Sequence, residues 1–132
     1  MKRKTALKYA REIARRVHEI NGLLATPLCQ YEAMRISRMW VFGSTVKGKQ
    51  NPNDLDLLIE MTECGRSRSA AQTTADKRNL RRGFRFAPSS RSYALKWLTR
   101  GMKLVSRHDS VADGGKVGLQ VLIYPRYDIP DE

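Results

Sequence analysis

Residues 41–59 run Val41-Phe42-Gly43-Ser44-Thr45-Val46-Lys47-Gly48-Lys49-Gln50-Asn51-Pro52-Asn53-Asp54-Leu55-Asp56-Leu57-Leu58-Ile59. Ile36 to Phe42 is rich in β-branched and aromatic residues toward its end and reads as a strand. Gly43 to Asn53 is turn chemistry, with Gly43, Ser44, Gly48, Asn51, Pro52 and Asn53. Leu55 to Met61 reads as a second strand, and the two make a hairpin or adjacent strands joined by a functional loop. Side chains alternate along a strand, so Asp54 and Asp56 share one face while Leu55, Leu57 and Ile59 point to a core.

Two carboxylates on one face repel unless something cationic lies between them. Oxygen ligands of this kind suit Mg²⁺, which takes one or two carboxylates together with substrate phosphates. Gly43-Ser44 directly follows a strand, where a glycine lets backbone N–H groups approach an anion and a serine hydroxyl adds a donor. Lys47 and Lys49, around Gly48, can neutralise phosphate charge. The spacing from Gly43 to Gly48-Lys49 nearly spells a Walker A loop. That loop needs Ser or Thr where Gln50 stands and then a helix, which Asn51-Pro52-Asn53 forbids. The bland alternative is a plain hairpin with a polar turn and two solvated aspartates.

Gly-Ser-x-x-x-Gly, a short polar loop, then Asn-Asp-x-Asp-Leu-Leu-Ile resembles the signature of the DNA polymerase β-type nucleotidyltransferase superfamily, and its small stand-alone members are closest in length. The resemblance rests on Gly43, Ser44, Gly48, Asp54 and Asp56 in register. It implies an α+β fold with a small mixed β-sheet packed against helices. It also implies transfer of a nucleoside monophosphate from an NTP to an acceptor hydroxyl, with pyrophosphate released. Gly43 and Ser44 would hold the triphosphate, and Asp54 and Asp56 would bind two Mg²⁺ ions. The family has a third carboxylate on a later strand between apolar residues. The best counterpart here is Leu119-Gln120-Val121, so Gln120 stands where that carboxylate belongs. Asp109, Asp113 or Asp128 could supply the missing charge, the site could work with two carboxylates, or catalysis could be lost with binding kept.

Around this centre, Thr5 to Ile20 reads as an amphipathic helix, with Leu7, Ala10, Ile13, Ala14, Val17 and Ile20 on one face and Asn21-Gly22 as its stop. Thr26-Pro27 looks like an N-cap and first-turn proline opening a short helix to Met34. Ser69 could cap a weakly apolar helix to Arg82. Ser89/Ser90 cap a better one reaching about Ser106, with Leu95, Leu98, Met102 and Val105 as its buried stripe. Val117 to Tyr124 is a third strand, with Leu119, Val121 and Ile123 on one face. The expectation is one domain over 1–132, with about three core strands and a basic helical segment at 66–107.

The 132 residues carry 25 Lys+Arg and 13 Asp+Glu, a formal charge of +12. Arg66 to Arg107 holds 12 of those bases and one acid, Asp76, so the excess is local. Lys96, Arg100, Lys103 and Arg107 would form one helical stripe. Arg78, Arg81, Arg82 and Arg85 cluster beside Phe84 and Phe86, the composition of a surface that stacks bases and meets phosphates. A nucleic acid, RNA such as tRNA, is the partner this implies, with a protein acceptor as the other option.

No apolar run approaches the ~20 residues of a membrane span, and no apolar stretch of a secretion signal follows the basic N-terminus. Cys29 and Cys64 sit singly, which fits a reducing cytoplasm. Two classes of function therefore stand: an Mg²⁺-dependent nucleotidyltransferase, or a decayed relative that binds nucleic acid or inhibits a protein partner.

Overall fold

The computed structural model describes residues 1–27, 29–43, 45–48, 52–67, 89–109 and 119–130. Helical spacing of small and branched residues produces α1 (Arg3–Glu19), whose Ala6, Ala10, Ile13, Ala14 and Val17 are at most 4% exposed. It ends where expected. Asn21 and Gly22 take φ of 53° and 74°, and Gly22 N–H closes the last turn on the Val17 carbonyl at 3.0 Å.

The chain then enters a mixed sheet of five strands. They are β1 (Leu23–Ala25), β2 (Tyr31–Phe42), β3 (Leu55–Ser67), β4 (Val105–Asp109) and β5 (Gln120–Tyr124). β2 and β3 form the expected antiparallel hairpin, with Val41 opposite Leu57 and Phe42 opposite Asp56. β1 and β5 pair with different halves of β2, both antiparallel, and β4 pairs with β3 in parallel. A parallel neighbour needs a crossover. The return from β3 to β4 includes α2 (Ser90–Leu98). Both helices pack on the face that carries Met39, Val41, Leu55, Leu57, Ile59 and Ile123, all at 0% exposure.

Four expectations about elements change. Thr26 to Met34 is not a helix. The Thr26 hydroxyl instead donates to the Tyr31 carbonyl at 2.8 Å, closing a loop, and Met34 and Ile36 are buried within the longer strand β2. The helix from Ser90 stops at Leu98. Gly101, with φ of 79°, turns the chain in the left-handed region, and Met102 N–H returns to the Thr99 carbonyl at 3.0 Å. Val105 therefore lies in β4. Leu119, expected within the third strand on one face with Val121 and Ile123, precedes β5 and is 61% exposed. The sheet has five strands instead of about three. The helix considered over 70–82 lies outside the described residues.

Ser90 ties α2 to the sheet. Its buried Oγ accepts from Tyr31 N–H at 3.0 Å and lies 3.3 Å from the Thr26 hydroxyl. Ser90→Ala leaves the part-buried N–H without that partner and is expected to cost about 1–2 kcal/mol, measured by chemical denaturation.

Candidate functional site

In a sheet, directly opposed residues share a face. Gln120 opposes Phe42, Phe42 opposes Asp56, and Asp56 opposes Ser106. These four form one row across β5, β2, β3 and β4, on the face away from the helices. His108, two residues beyond Ser106, shares that face opposite Leu58.

The structure brings Asp54 and Asp56 together as the alternation requires. Asp54 stands just before β3 and accepts a hydrogen bond from the Ser106 hydroxyl. Asp56 is approached from two sides, by Gly43 and by His108. Gly43 turns at φ of 76°, and a Cβ built on it would lie 2.5 Å from Asp56 Oδ2, so the glycine lets the backbone lie against the carboxylate. His108 Nε2 stands 3.9 Å from Asp56 Oδ1. The His108 ring also meets Phe42 edge-on at 5.1 Å. Burial pushes the Asp56 carboxyl above its ordinary range and the neighbouring Asp54 charge adds to this, while His108 opposes it. A carboxylate destabilised in this way is one that a cation would relieve.

The loop contributes less than the sequence suggested. Lys47 N–H bonds to the Gly43 carbonyl at 3.2 Å and Gly48 N–H to the Thr45 carbonyl at 3.3 Å. Both amides are thus engaged within the turn. Gly48, with φ of 84°, and the Lys47 side chain face solvent. Arg3 Nε donates to the Thr45 carbonyl at 3.2 Å, so the start of α1 braces this loop. Ser44 and Lys49 lie outside the described residues.

Gln120 is exposed and lies two strands from Asp56, about 10 Å at the usual strand spacing. Ser106 and His108 lie one strand away, on the other side. The sequence missed both because the expected helix ran through Ser106. The signal that could have found them is Gly101, a helix stop that leaves Val105-Ser106-Arg107-His108 outside the helix. Asp128 is paired with Arg126 at 2.6 Å, and Asp113 lies outside the described residues. Among the described residues no group of three His, Cys, Asp or Glu side chains gathers as a metal cage. Two carboxylates suffice for Mg²⁺ only when substrate oxygens complete the shell, and Asp54 and Asp56 fit that pattern.

The basic helical stripe does not form. Lys96 is on α2, Arg100 and Lys103 are in the connection, and Arg107 is in β4, with its guanidinium 3.5 Å from the Thr99 hydroxyl. Arg78, Arg81, Arg82 and Arg85 lie outside the described residues. No helix among the described residues is long and apolar enough to cross a membrane.

The chain matches no protein-family model, and no curated protein or solved structure matches it.

Proposed function

We propose that the protein is an Mg²⁺-dependent nucleotidyltransferase that moves a nucleoside monophosphate from an NTP to an acceptor hydroxyl on RNA. The observation that carries this reading is the seating of Gly43 against Asp56, with Asp54 held beside it by Ser106. A glycine turn at the end of one strand, pressed on a carboxylate pair at the start of the next, is the arrangement that the resemblance to the polymerase β-type family implies.

Asp54 and Asp56 would hold the metal, which stabilises charge on the attacking and leaving oxygens when it is bound. Ser106 fixes the Asp54 carboxylate by donating to it. An attacking hydroxyl must lose a proton to a base within hydrogen-bond reach. His108 Nε2 lies 3.9 Å from Asp56 Oδ1, so its imidazole stands at the edge of the pair, on the side opposite to Gln120. Lys47 adds positive charge at the mouth of the loop.

The test is incubation with α-labelled NTPs, Mg²⁺ and total RNA, followed by separation of RNA from protein. Label on RNA that vanishes in Asp54→Ala/Asp56→Ala supports the reading, and label on a protein band moves the acceptor to protein. One observation favours a second reading. Gln120 stands at the position that the resemblance gives to the third carboxylate, two strands from Asp56. A binding protein that has lost catalysis would bind RNA in a salt-sensitive way, unchanged by the aspartate substitutions, and would transfer no label.

A further inference from the structure

On the helix side of the sheet, α1 and the turn after α2 line an open cleft of about 580 Å³, within the ~300–1,000 Å³ range of ligand sites. Lys8, Arg11, Arg15, Arg16 and Arg100 line it, against one carboxylate, Glu12. Tyr9 and Met102 also line it and supply apolar surface.

The walls are fixed before anything binds. Arg16 donates to the carbonyls of Leu98 and Arg100 at 2.9 and 3.1 Å, joining α1 to the far wall. Hydrogen bonds from Arg15 hold the Glu12 carboxyl down at about 2, with Arg16 adding to this, so its charge is matched within the cleft. The Arg100 guanidinium lies 4.6 Å over the Trp97 ring, and that of Arg11 lies 5.2 Å over Tyr127. Side chains held on rings lose less freedom when a phosphate arrives.

We propose that this cleft binds a single-stranded RNA segment, with phosphates on Lys8, Arg11 and Arg100 and a base against Tyr9 and Met102. The charge calls for a polyanion. Aromatic and apolar floor between arginines suits a base, which an acidic peptide lacks. The inference deepens the transfer reading by giving the acceptor a seat. The far wall continues from Met102 to Leu104, whose carbonyl accepts from Leu55 N–H at 2.9 Å, next to Asp54. The connection thus leads from the helix side to the end of β3 beside Asp54, and an acceptor strand would follow it round that end to meet the carboxylates on the opposite face.

The experiment is fluorescence anisotropy with a labelled single-stranded RNA 12-mer over a salt series. Lys8→Glu/Arg11→Glu changes two exposed side chains, and a circular-dichroism melt checks its fold. It is expected to weaken binding on the order of tenfold or more and to lower the salt slope by about 1.4, at ~0.7 per lost single-strand phosphate contact. Arg100→Ala, at the far wall, provides a second variant and is expected to lower the slope by about 0.7. Unchanged binding in both variants overturns the proposal. So does competition by poly-glutamate as effective as that by unlabelled RNA at equal charge. Binding lost in the cleft variants, retained in Asp54→Asn/Asp56→Asn, and unaccompanied by label transfer upholds the cleft and removes the transfer reading alone.

Discussion

Asp56→Asn is expected to lower nucleotidyl transfer by about 10³-fold while leaving the protein as stable as the wild type or more so. The two effects have one cause. Asp56 is partly buried and faces the Asp54 charge, so its ionised form is disfavoured in the folded protein, and its carboxyl titrates above the usual value of 3.8. A raised carboxyl favours folding at low pH, below the unfolded value. That contribution is lost as pH rises through the higher folded value. The asparagine variant carries no such group. In metal-free buffer its denaturation midpoint should therefore overtake the wild type as pH increases from 4 to 8, and a gap independent of pH would contradict the assignment. Added Mg²⁺ should raise the wild-type midpoint and move the variant less, because a cation bound to the folded state stabilises it by mass action. The isosteric asparagine keeps an oxygen but loses the charge, so the rate loss reports electrostatics more than shape.

Gly43→Ala is expected to cost about 1–2 kcal/mol of stability for the left-handed backbone alone. It should also reduce transfer by about 10²-fold, since even a 1 Å misplacement of catalytic groups can cost this much. The new Cβ would sit 2.5 Å from Asp56 Oδ2, so either the carboxylate or the turn must move. Gly48→Ala makes the contrast. Gly48 also has positive φ, at 84°, but a Cβ there meets nothing within 4 Å. It should show a similar loss of stability with a much smaller loss of rate. Equal rate losses in the two variants would show that loop strain, not contact with Asp56, is what matters.

The hairpin was legible because its signals are local. Leu55, Leu57 and Ile59 alternate with Asp56, and proline and glycine crowd the turn between the strands. The first helix was legible for the same reason, from one apolar stripe and an Asn-Gly stop. What failed was decided by partners distant in sequence. Thr26-Pro27 has the composition of a helix start, but the Thr26 hydroxyl is used on Tyr31 and the buried Ser90 holds the same loop. Leu98, Met102 and Val105 fit a helical stripe. Yet Gly101 breaks it, and pairing of Val105 with Leu55 makes a strand instead. That one misreading hid Ser106 and His108 from the site. It also drew the cationic surface along a continuation of the Ser90 helix that stops at Leu98, and left aside the cations of α1. Their grouping with Arg100 follows only from Arg16 reaching the Leu98 and Arg100 carbonyls.

The most direct test of the Gly43–Asp54–Asp56 site is the stoichiometry of its chemistry. Purified protein, one NTP, Mg²⁺ and an RNA that accepts label should release one pyrophosphate for each nucleoside monophosphate that mass spectrometry finds on the RNA. Both should fall together in Asp54→Ala/Asp56→Ala. Pyrophosphate release that persists in the double variant, or RNA that gains no mass while the wild type binds it, would contradict the account.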